Sequence, residues 1–170
     1  MQIKPCSEEH LEDLVAISKT AYLDHYTYLW NDEGAKYVAS NFNTEQLRDE
    51  LRCPNSLFYL LYIKEKLVGF LKLNVDSGFK SYSETTALEL ERIYFTKEVT
   101  GKGLGKIIID FVIDLAQKRG KTIVWLKAMD SSRSVNFYQK HHFKVIDEMT
   151  LNFEHMKDEY RKLLTLYRIV

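Results

Sequence analysis

The sequence has no excess of charge: 24 Lys and Arg stand against 24 Asp and Glu. Nucleic-acid affinity depends on neutralising many phosphates with clustered basic residues. No dense basic run occurs, which argues against a general nucleic-acid binder. Cysteine is scarce. Cys6 and Cys53 lie far apart and neither has a Cys-x-x-Cys partner. A disulfide framework is therefore not expected, and two reduced, partly buried thiols are. There are only two prolines, no repeats and no low-complexity linker. With 45% hydrophobic residues the chain can build a core, which excludes a largely disordered protein. No apolar run approaches the roughly 20 residues that cross a bilayer. Residues 1–5 have no apolar signal core. The expectation is one soluble, cytoplasmic domain over residues 1–170.

Glycine is scarce too, yet three of the seven fall at Gly101, Gly103 and Gly105. They belong to the stretch Thr100-Gly101-Lys102-Gly103-Leu104-Gly105-Lys106, between a strand-like run (88–95) and a helix-like run (107–118). Glycine lets a backbone approach a ligand and adopt positive φ. A turn that opens a helix presents unpaired N–H groups and the positive end of the helix dipole. Lys102 and Lys106 add positive charge. The stretch reads as a phosphate cradle, with an ordinary tight turn as the alternative. It matches neither the Walker pattern nor the dinucleotide Gly-x-Gly-x-x-Gly, since Lys106 stands three residues after Gly103.

Periodicity orders the rest. A short strand (2–4) precedes a helix over 7–23, with Ser7 as N-cap and His10 at the capping-box position. A second helix starts at Asn31 or Asp32, and a third is capped by Asn43 or Thr44. Residues 57–63 and 67–75 read as a hairpin, 76–86 as a polar loop and 88–95 as a strand. After the glycine turn and its helix come a strand (122–129), a helix (132–141) and a strand from Phe143. A closing hairpin of 150–153 with 163–170 ends the chain. This order implies a mixed sheet with helices packed on it.

Among candidate site residues, period-2 geometry puts Glu89 and Glu91 on one face of their strand. Tyr22, His25, Tyr26, Tyr28 and Trp30 form an aromatic cluster, either core or the wall of an acceptor pocket. His141 and His142 lack metal-ligand spacing, and no metal site is expected. No Ser, His and Asp arrangement suggests a nucleophilic triad.

The element order, the glycine turn and the run Phe137-Tyr138-x-Lys140-x-x-Phe143 resemble the GCN5-related N-acetyltransferase superfamily. The pyrophosphate motif of that family, Gln/Arg-x-x-Gly-x-Gly/Ala, corresponds to Thr100-x-x-Gly103-x-Gly105, with Thr100 a departure. Its later motif, Asn-x-x-Ala-x-x-Phe-Tyr-x-Lys-x-Gly-Phe, corresponds to the run from Ser131 to Phe143, with departures at Ser131, Ser134 and His142. His142 replaces a glycine near a helix end, where positive φ is common. Two further stretches, 43–47 and 88–94, resemble the PaiA-type bacterial polyamine acetyltransferases.

The resemblance implies an α/β (α+β) fold, a mixed, mostly antiparallel twisted sheet of about seven strands flanked by about five helices. It implies direct transfer of acetyl from acetyl-CoA to a primary amine, a polyamine such as spermidine or spermine. The implied CoA contacts are Ile93, Tyr94, Phe95, Thr100, Gly101, Lys102, Gly103, Leu104, Gly105, Lys106, Ser131 and Lys140. Tyr138 is the implied acid, and a backbone N–H near Tyr94 or Phe95 the oxyanion donor. Glu89 or Glu91 takes the amine's proton, through water, or the two hold a cation. Alternative acceptors are a protein N-terminus, a lysine or an aminoglycoside. A CoA-binding regulator with little turnover is the alternative of another class. A homodimer stays open, and no membrane partner is implied.

Overall fold

The computed structural model describes all 170 residues. Local chemistry sets where its elements begin. After strand β1 (Gln2–Pro5), the Ser7 N–H donates to His10 Nδ1 at 3.2 Å and the Ser7 hydroxyl meets the same nitrogen at 2.9 Å. His10 thus fills the reciprocal cap, and helix α1 (Leu11–Tyr26) follows, ending three residues beyond the expected 7–23. Asp32 caps α2 (Ala35–Asn41) by accepting from the Gly34 and Lys36 N–H groups, each at 3.1 Å. Asn43 caps α3 (Thr44–Arg52) through the Gln46 N–H at 2.8 Å. Then come β2 (Ser56–Ile63), β3 (Lys66–Asn74), β4 (Ala87–Phe95), α4 (Leu104–Lys118), β5 (Ile123–Met129), α5 (Ser134–Lys140), β6 (Lys144–Thr150) and β7 (Lys162–Ile169). The seven strands form a mixed, mostly antiparallel sheet in the order β1-β2-β3-β4-β5-β7-β6, with β4 and β5 parallel. Seven strands and five helices agree with the fold implied by the sequence.

The expected closing hairpin needs correction. The strand opposite β7 is β6, from Lys144↔Tyr167 to Thr150↔Lys162, and residues 151–153 leave the ladder. Arg161 explains the change. Its guanidinium donates to the carbonyls of Leu151, Phe153 and Met156 at 3.2, 3.0 and 2.8 Å, giving those groups partners outside a strand. Both thiols are free, and of the two expected to be partly buried only Cys53 differs. Cys6 is half-buried, and burial together with the Asp13 charge pushes its thiol up to about 12. Cys53 is exposed, because it is the residue that ends α3.

The chain divides into two compact units: residues 1–73 with 92–104, and residues 74–91 with 105–170. In the first, Leu11, Leu14 and Ile17 of α1 pack with Phe42, Leu47, Phe58, Leu60 and Phe70. Beside that core sits a nearly buried ion cluster. Glu50 of α3 accepts from Arg92 at 2.7 and 3.1 Å and from Lys72 at 2.8 Å. The Arg92 guanidinium also lies over the Phe42 ring and the Lys72 ammonium over Phe58, both 5.5 Å from the ring centre. In the second unit, Phe79, Ala87, Ile123 and Trp125 form a core, with Phe79 stacked on Trp125 at 5.2 Å. The segment expected to be a polar loop thus contributes a buried ring. Lys121, 5% exposed, pairs with the Asp76 carboxylate and donates to the Thr85 carbonyl at 2.9 Å.

Burial works to raise the Glu50 pKa, but Arg92, Gln46 and Lys72 outweigh it and hold the carboxyl below its usual range. A depressed carboxylate contributes stability above its unfolded pKa and loses it as pH falls through the folded value. Stability is therefore expected to fall with acidification below about pH 4.5, with a shallower slope in Glu50→Gln. Glu50→Ala strands two cations and is expected to lose about 3 kcal/mol or more. Urea unfolding between pH 3 and 7 checks both, and an unchanged slope in Glu50→Gln would assign the acid sensitivity elsewhere.

Candidate active site

Past β4, a short 3-10 turn, Lys97–Val99, leads into the glycine stretch. Thr100 turns its hydroxyl back onto the Lys97 carbonyl at 2.8 Å. Gly101 and Gly103 have φ of 75° and 77°, the left-handed region that favours glycine. A Cβ at either would meet nothing within 4 Å, so the space beside this backbone is open. The first turn of α4, a 15-residue helix, follows directly. Open space, glycine backbone and helix N–H groups suit an anionic diphosphate. Gly105 differs. A Cβ there would stand 2.8 Å from Phe137 Cζ, so its lack of a side chain lets α4 pack on α5. Lys106 pairs with Asp110 along the exposed face of α4, and Lys102 is exposed.

The parallel register of β4 with β5 runs from Ala87↔Ile123 to Leu90↔Leu126, so Ile93, Tyr94 and Phe95 lie beyond it. Leu88 and Leu90 are buried, and Glu89 and Glu91 share the opposite, half-buried face. Asn74, the last residue of β3, brings these two carboxylates together. Its Nδ2 donates to Glu89 Oε2 at 2.9 Å and to Glu91 Oε2 at 2.7 Å. The Ser77 hydroxyl donates to the same Glu89 oxygen at 3.1 Å.

The end of β4 is fastened from several sides. His25 Nε2 donates to the Phe95 carbonyl at 3.0 Å, and the Thr96 N–H donates to Val68 O at 2.8 Å. Asp24 accepts from the Lys97 N–H at 2.7 Å. Gly69 of β3 lies so close beneath that any Cβ would overlap the Tyr94 carbonyl oxygen. Sequence reasoning passed over Gly69 and Asn74. A lone glycine inside a strand pattern signals close backbone approach and could have marked the first. Nothing in the sequence marks Asn74, because its partners are 15 and 17 residues away.

Of the aromatic cluster, Tyr22 and Trp30 are core, and His25, Tyr26 and Tyr28 are half-buried. Tyr22 and Trp30 are each 4% exposed, and the Trp30 indole donates to the Tyr22 hydroxyl at 2.9 Å. Tyr22 stacks on Tyr26 and Tyr37 and meets Tyr94 edge-on at 5.8 Å. Burial among Tyr37, Tyr26 and Tyr22 pushes the Tyr94 hydroxyl well above the usual phenol range. Tyr22 and Trp30 therefore form no acceptor wall. A shallow cavity of about 680 Å³ beside α1 is lined by Asp13, Ile17, Thr20, Asp24 and Lys66 among others, none of them a predicted site residue.

On α5, Tyr138 is 7% exposed, its ring edge-on to Phe137 at 5.3 Å and Phe143 at 5.7 Å. Ser132 starts the helix by accepting from the Ser134 N–H at 3.2 Å. Ser131 and Lys140 are exposed. His142 has φ of 66°, the conformation for which its motif position normally carries glycine.

A glycine turn opening α4, a β4 whose pairing with β5 stops at Leu90, and a tyrosine-bearing α5 define a class of acyl-transfer fold. The chain belongs to the acetyltransferase (GNAT) family, whose profile matches residues 17–143. It is an N-acetyltransferase of that family, which uses acetyl-CoA and an amine acceptor. It is 29% identical over 163 residues to an uncharacterised N-acetyltransferase of Lactobacillus delbrueckii subsp. lactis, covering 90% of this chain and 94% of that protein. It is 25% identical over 153 residues to the spermidine N(1)-acetyltransferase of Thermoplasma acidophilum, covering 86% and 90%. The crystal structure of PaiA N-acetyltransferase from Thermoplasma acidophilum in complex with coenzyme A superposes with a TM-score of 0.77 over 100% of both chains, at 21% identity. No helix is long and apolar enough to cross a membrane.

Gly105→Ala is expected to lose about 1–3 kcal/mol by overpacking against Phe137. Phe137→Leu in the same chain should recover part of that loss. Gly103→Ala should lose about 1 kcal/mol from backbone strain, with no recovery from Phe137→Leu. A double-mutant cycle by urea unfolding separates them, and additive effects of Gly105→Ala and Phe137→Leu would show that the contact does not govern Gly105.

Proposed function

We propose that the chain transfers acetyl directly from acetyl-CoA to a primary amine of a polyamine, with spermidine and spermine as representative acceptors. The single observation that carries the acceptor class is the Glu89 and Glu91 pair gathered on one strand face by Asn74. The similarity to a spermidine N(1)-acetyltransferase supports it. Asp24 accepts from the Lys97 N–H, and Asp32 from the Gly34 and Lys36 N–H groups. Glu89 and Glu91 are the carboxylates assigned to the substrate. The whole chain, 1–170, acts as one acetyltransferase domain.

Acetyl-CoA is the donor substrate. The N–H groups from Gly101 to Lys106 would hold its diphosphate, Lys102 adding positive charge, while Thr100, Ser131 and Lys140 are further contacts. The backbone of Ile93, Tyr94 and Phe95 would run along its pantetheine arm. A backbone N–H at Tyr94 or Phe95 would face the acetyl oxygen as negative charge develops there. An alkylamine, with pKa about 10.4, must lose a proton before it attacks. Glu89 or Glu91 takes that proton through water. Tyr138 gives a proton to the departing thiolate, as a phenol can at neutral pH. The attack forms the amide N–C bond and breaks the C–S bond, releasing CoA thiol.

Thiol release with acetyl-CoA against an amine panel tests the reading. Spermidine and spermine should show higher kcat/KM than a monoamine of similar length, and added salt should raise their KM by screening the carboxylates. Equal kcat/KM with no salt effect would reject the polyamine assignment. Tyr138→Phe should fold and bind CoA while kcat falls about 100-fold or more. A wild-type kcat in that variant would leave Tyr138 a packing residue.

A further inference from the structure

We infer that Asp24 and His25, adjacent in the last turn of α1, are positioning residues for the donor substrate acetyl-CoA. Asp24 sets the turn that takes the diphosphate, and His25 sets the backbone that faces the acetyl group. The inference rests on the acetyl-CoA reading above and assigns roles to two residues outside the family motifs. Both side chains act on backbone. Two consecutive peptide groups link the end of β4 to the 3-10 turn, and each of their four polar atoms has a partner. In the first, the Phe95 carbonyl accepts from His25 Nε2 at 3.0 Å and the Thr96 N–H donates to Val68 O at 2.8 Å. In the second, the Thr96 carbonyl accepts from the Val99 N–H at 3.2 Å and the Lys97 N–H donates to Asp24 Oδ2 at 2.7 Å. A peptide group is planar, so holding its C=O and its N–H fixes its orientation. The next carbonyl, Lys97 O, accepts from the Thr100 hydroxyl at 2.8 Å and the Thr100 N–H at 3.3 Å. A continuous chain of bonds therefore runs from α1 to the first residue of the glycine stretch.

The residue types point to a task beyond helix stability. An acidic side chain in the last turn of a helix faces the negative end of the dipole, which disfavours it. Asp24 thus works against its own helix while holding a backbone group 73 residues away. A carboxylate accepting from a backbone N–H makes a charge-assisted bond, the stronger kind. Asp24 is exposed and lies with Lys97 on the wall of the shallow cavity beside α1, so removing its carboxylate leaves no hole in the core. His25 is half-buried and edge-on to Tyr26 at 6.4 Å, so packing also orients its ring.

The two bonds act at different points. Asp24 holds the N–H of the residue that opens the turn, and the carbonyl of that same residue holds Thr100. Losing Asp24 therefore loosens the diphosphate cradle. His25 holds the carbonyl of Phe95, a residue whose own N–H is one of the two assigned to the acetyl oxygen. Losing His25 therefore misaligns the donor at the reacting centre. Affinity for CoA should depend on Asp24, and turnover on His25.

The test compares wild type with Asp24→Ala, Asp24→Asn, His25→Leu and His25→Gln. CoA affinity is measured by calorimetry, and thiol release is followed with whichever amine of the panel turns over fastest. Asp24→Ala is expected to weaken CoA binding about tenfold, roughly the worth of a hydrogen bond to a charged group, with kcat changed less than about twofold. Asp24→Asn keeps an acceptor oxygen and should recover most of the affinity. His25→Leu should lower kcat about fivefold, the worth of a neutral hydrogen bond, with CoA affinity changed less than about twofold. His25→Gln keeps an N–H donor and should recover part of the loss. Lys97→Pro removes the N–H that Asp24 holds, at the start of a turn preceded by an extended Thr96, where proline fits. It should weaken CoA binding as Asp24→Ala does, and the double variant should bind no more weakly than Lys97→Pro alone. It carries the test should Asp24→Ala fail to fold. Wild-type CoA affinity in folded Asp24→Ala or Lys97→Pro, or wild-type kcat in folded His25→Leu, overturns the inference. Equal losses of affinity and kcat in both variants, without recovery by Asn or Gln, make the pair merely structural and also overturn it. CoA binding needs no acceptor, so rejection of the polyamine assignment leaves this inference standing. A wild type that binds no CoA removes the acetyl-CoA reading and this inference together.

Discussion

Strand β4 carries two incompatible demands, and the way they are met organises the molecule. Its first half must pair in parallel with β5, and that register ends at Leu90↔Leu126. Its second half must keep an ordered backbone without that ladder. A strand end stripped of one neighbour frays unless other groups hold it. His25, Asp24 and the Val68 carbonyl supply those groups, and Gly69 supplies the room for the Tyr94 carbonyl. Aromatic packing of the Tyr94 ring against Tyr22, Tyr26 and Phe70 immobilises the same stretch from its other side. The aromatic residues near the end of α1 thus serve the site indirectly, by keeping a backbone edge rigid.

The three glycines after β4 look alike in sequence but answer to different forces. Gly101 and Gly103 relieve backbone sterics in a turn whose surroundings are open. Gly105 has ordinary dihedrals and yields space to Phe137. A motif written as spaced glycines therefore combines a ligand-facing constraint with a packing constraint. The Phe137 ring that fills this space also meets the Tyr138 ring edge-on at 5.3 Å.

Charge is handled in two ways. Glu50 is nearly buried and fully countered, so it holds α3 to Lys72 and Arg92 and responds to acid as a structural group. Glu89 and Glu91 are half-buried, and the neutral Asn74 amide donates to both.

Much was legible in the chain itself. The element order, the helix caps at Ser7 and Asn43, the turn at Gly101 to Gly105 and the shared face of Glu89 and Glu91 all follow from short-range periodicity and local hydrogen bonding. So does the left-handed strain at His142, read from a motif position that normally carries glycine. These features depend on residues within a few positions of each other. Tertiary structure alone decided the rest. Tyr22 and Trp30 became core because α2 and β4 bring Tyr37 and Tyr94 onto them. The last hairpin shifted because Arg161 captures carbonyls up to 10 residues away. Gly69 and Asn74 acquired their roles from strand neighbours, since backbone approach and a bridging amide exist only once β3 and β4 lie side by side. Sequence determined the chemistry available on β4, and the sheet decided which neighbours would hold it in place.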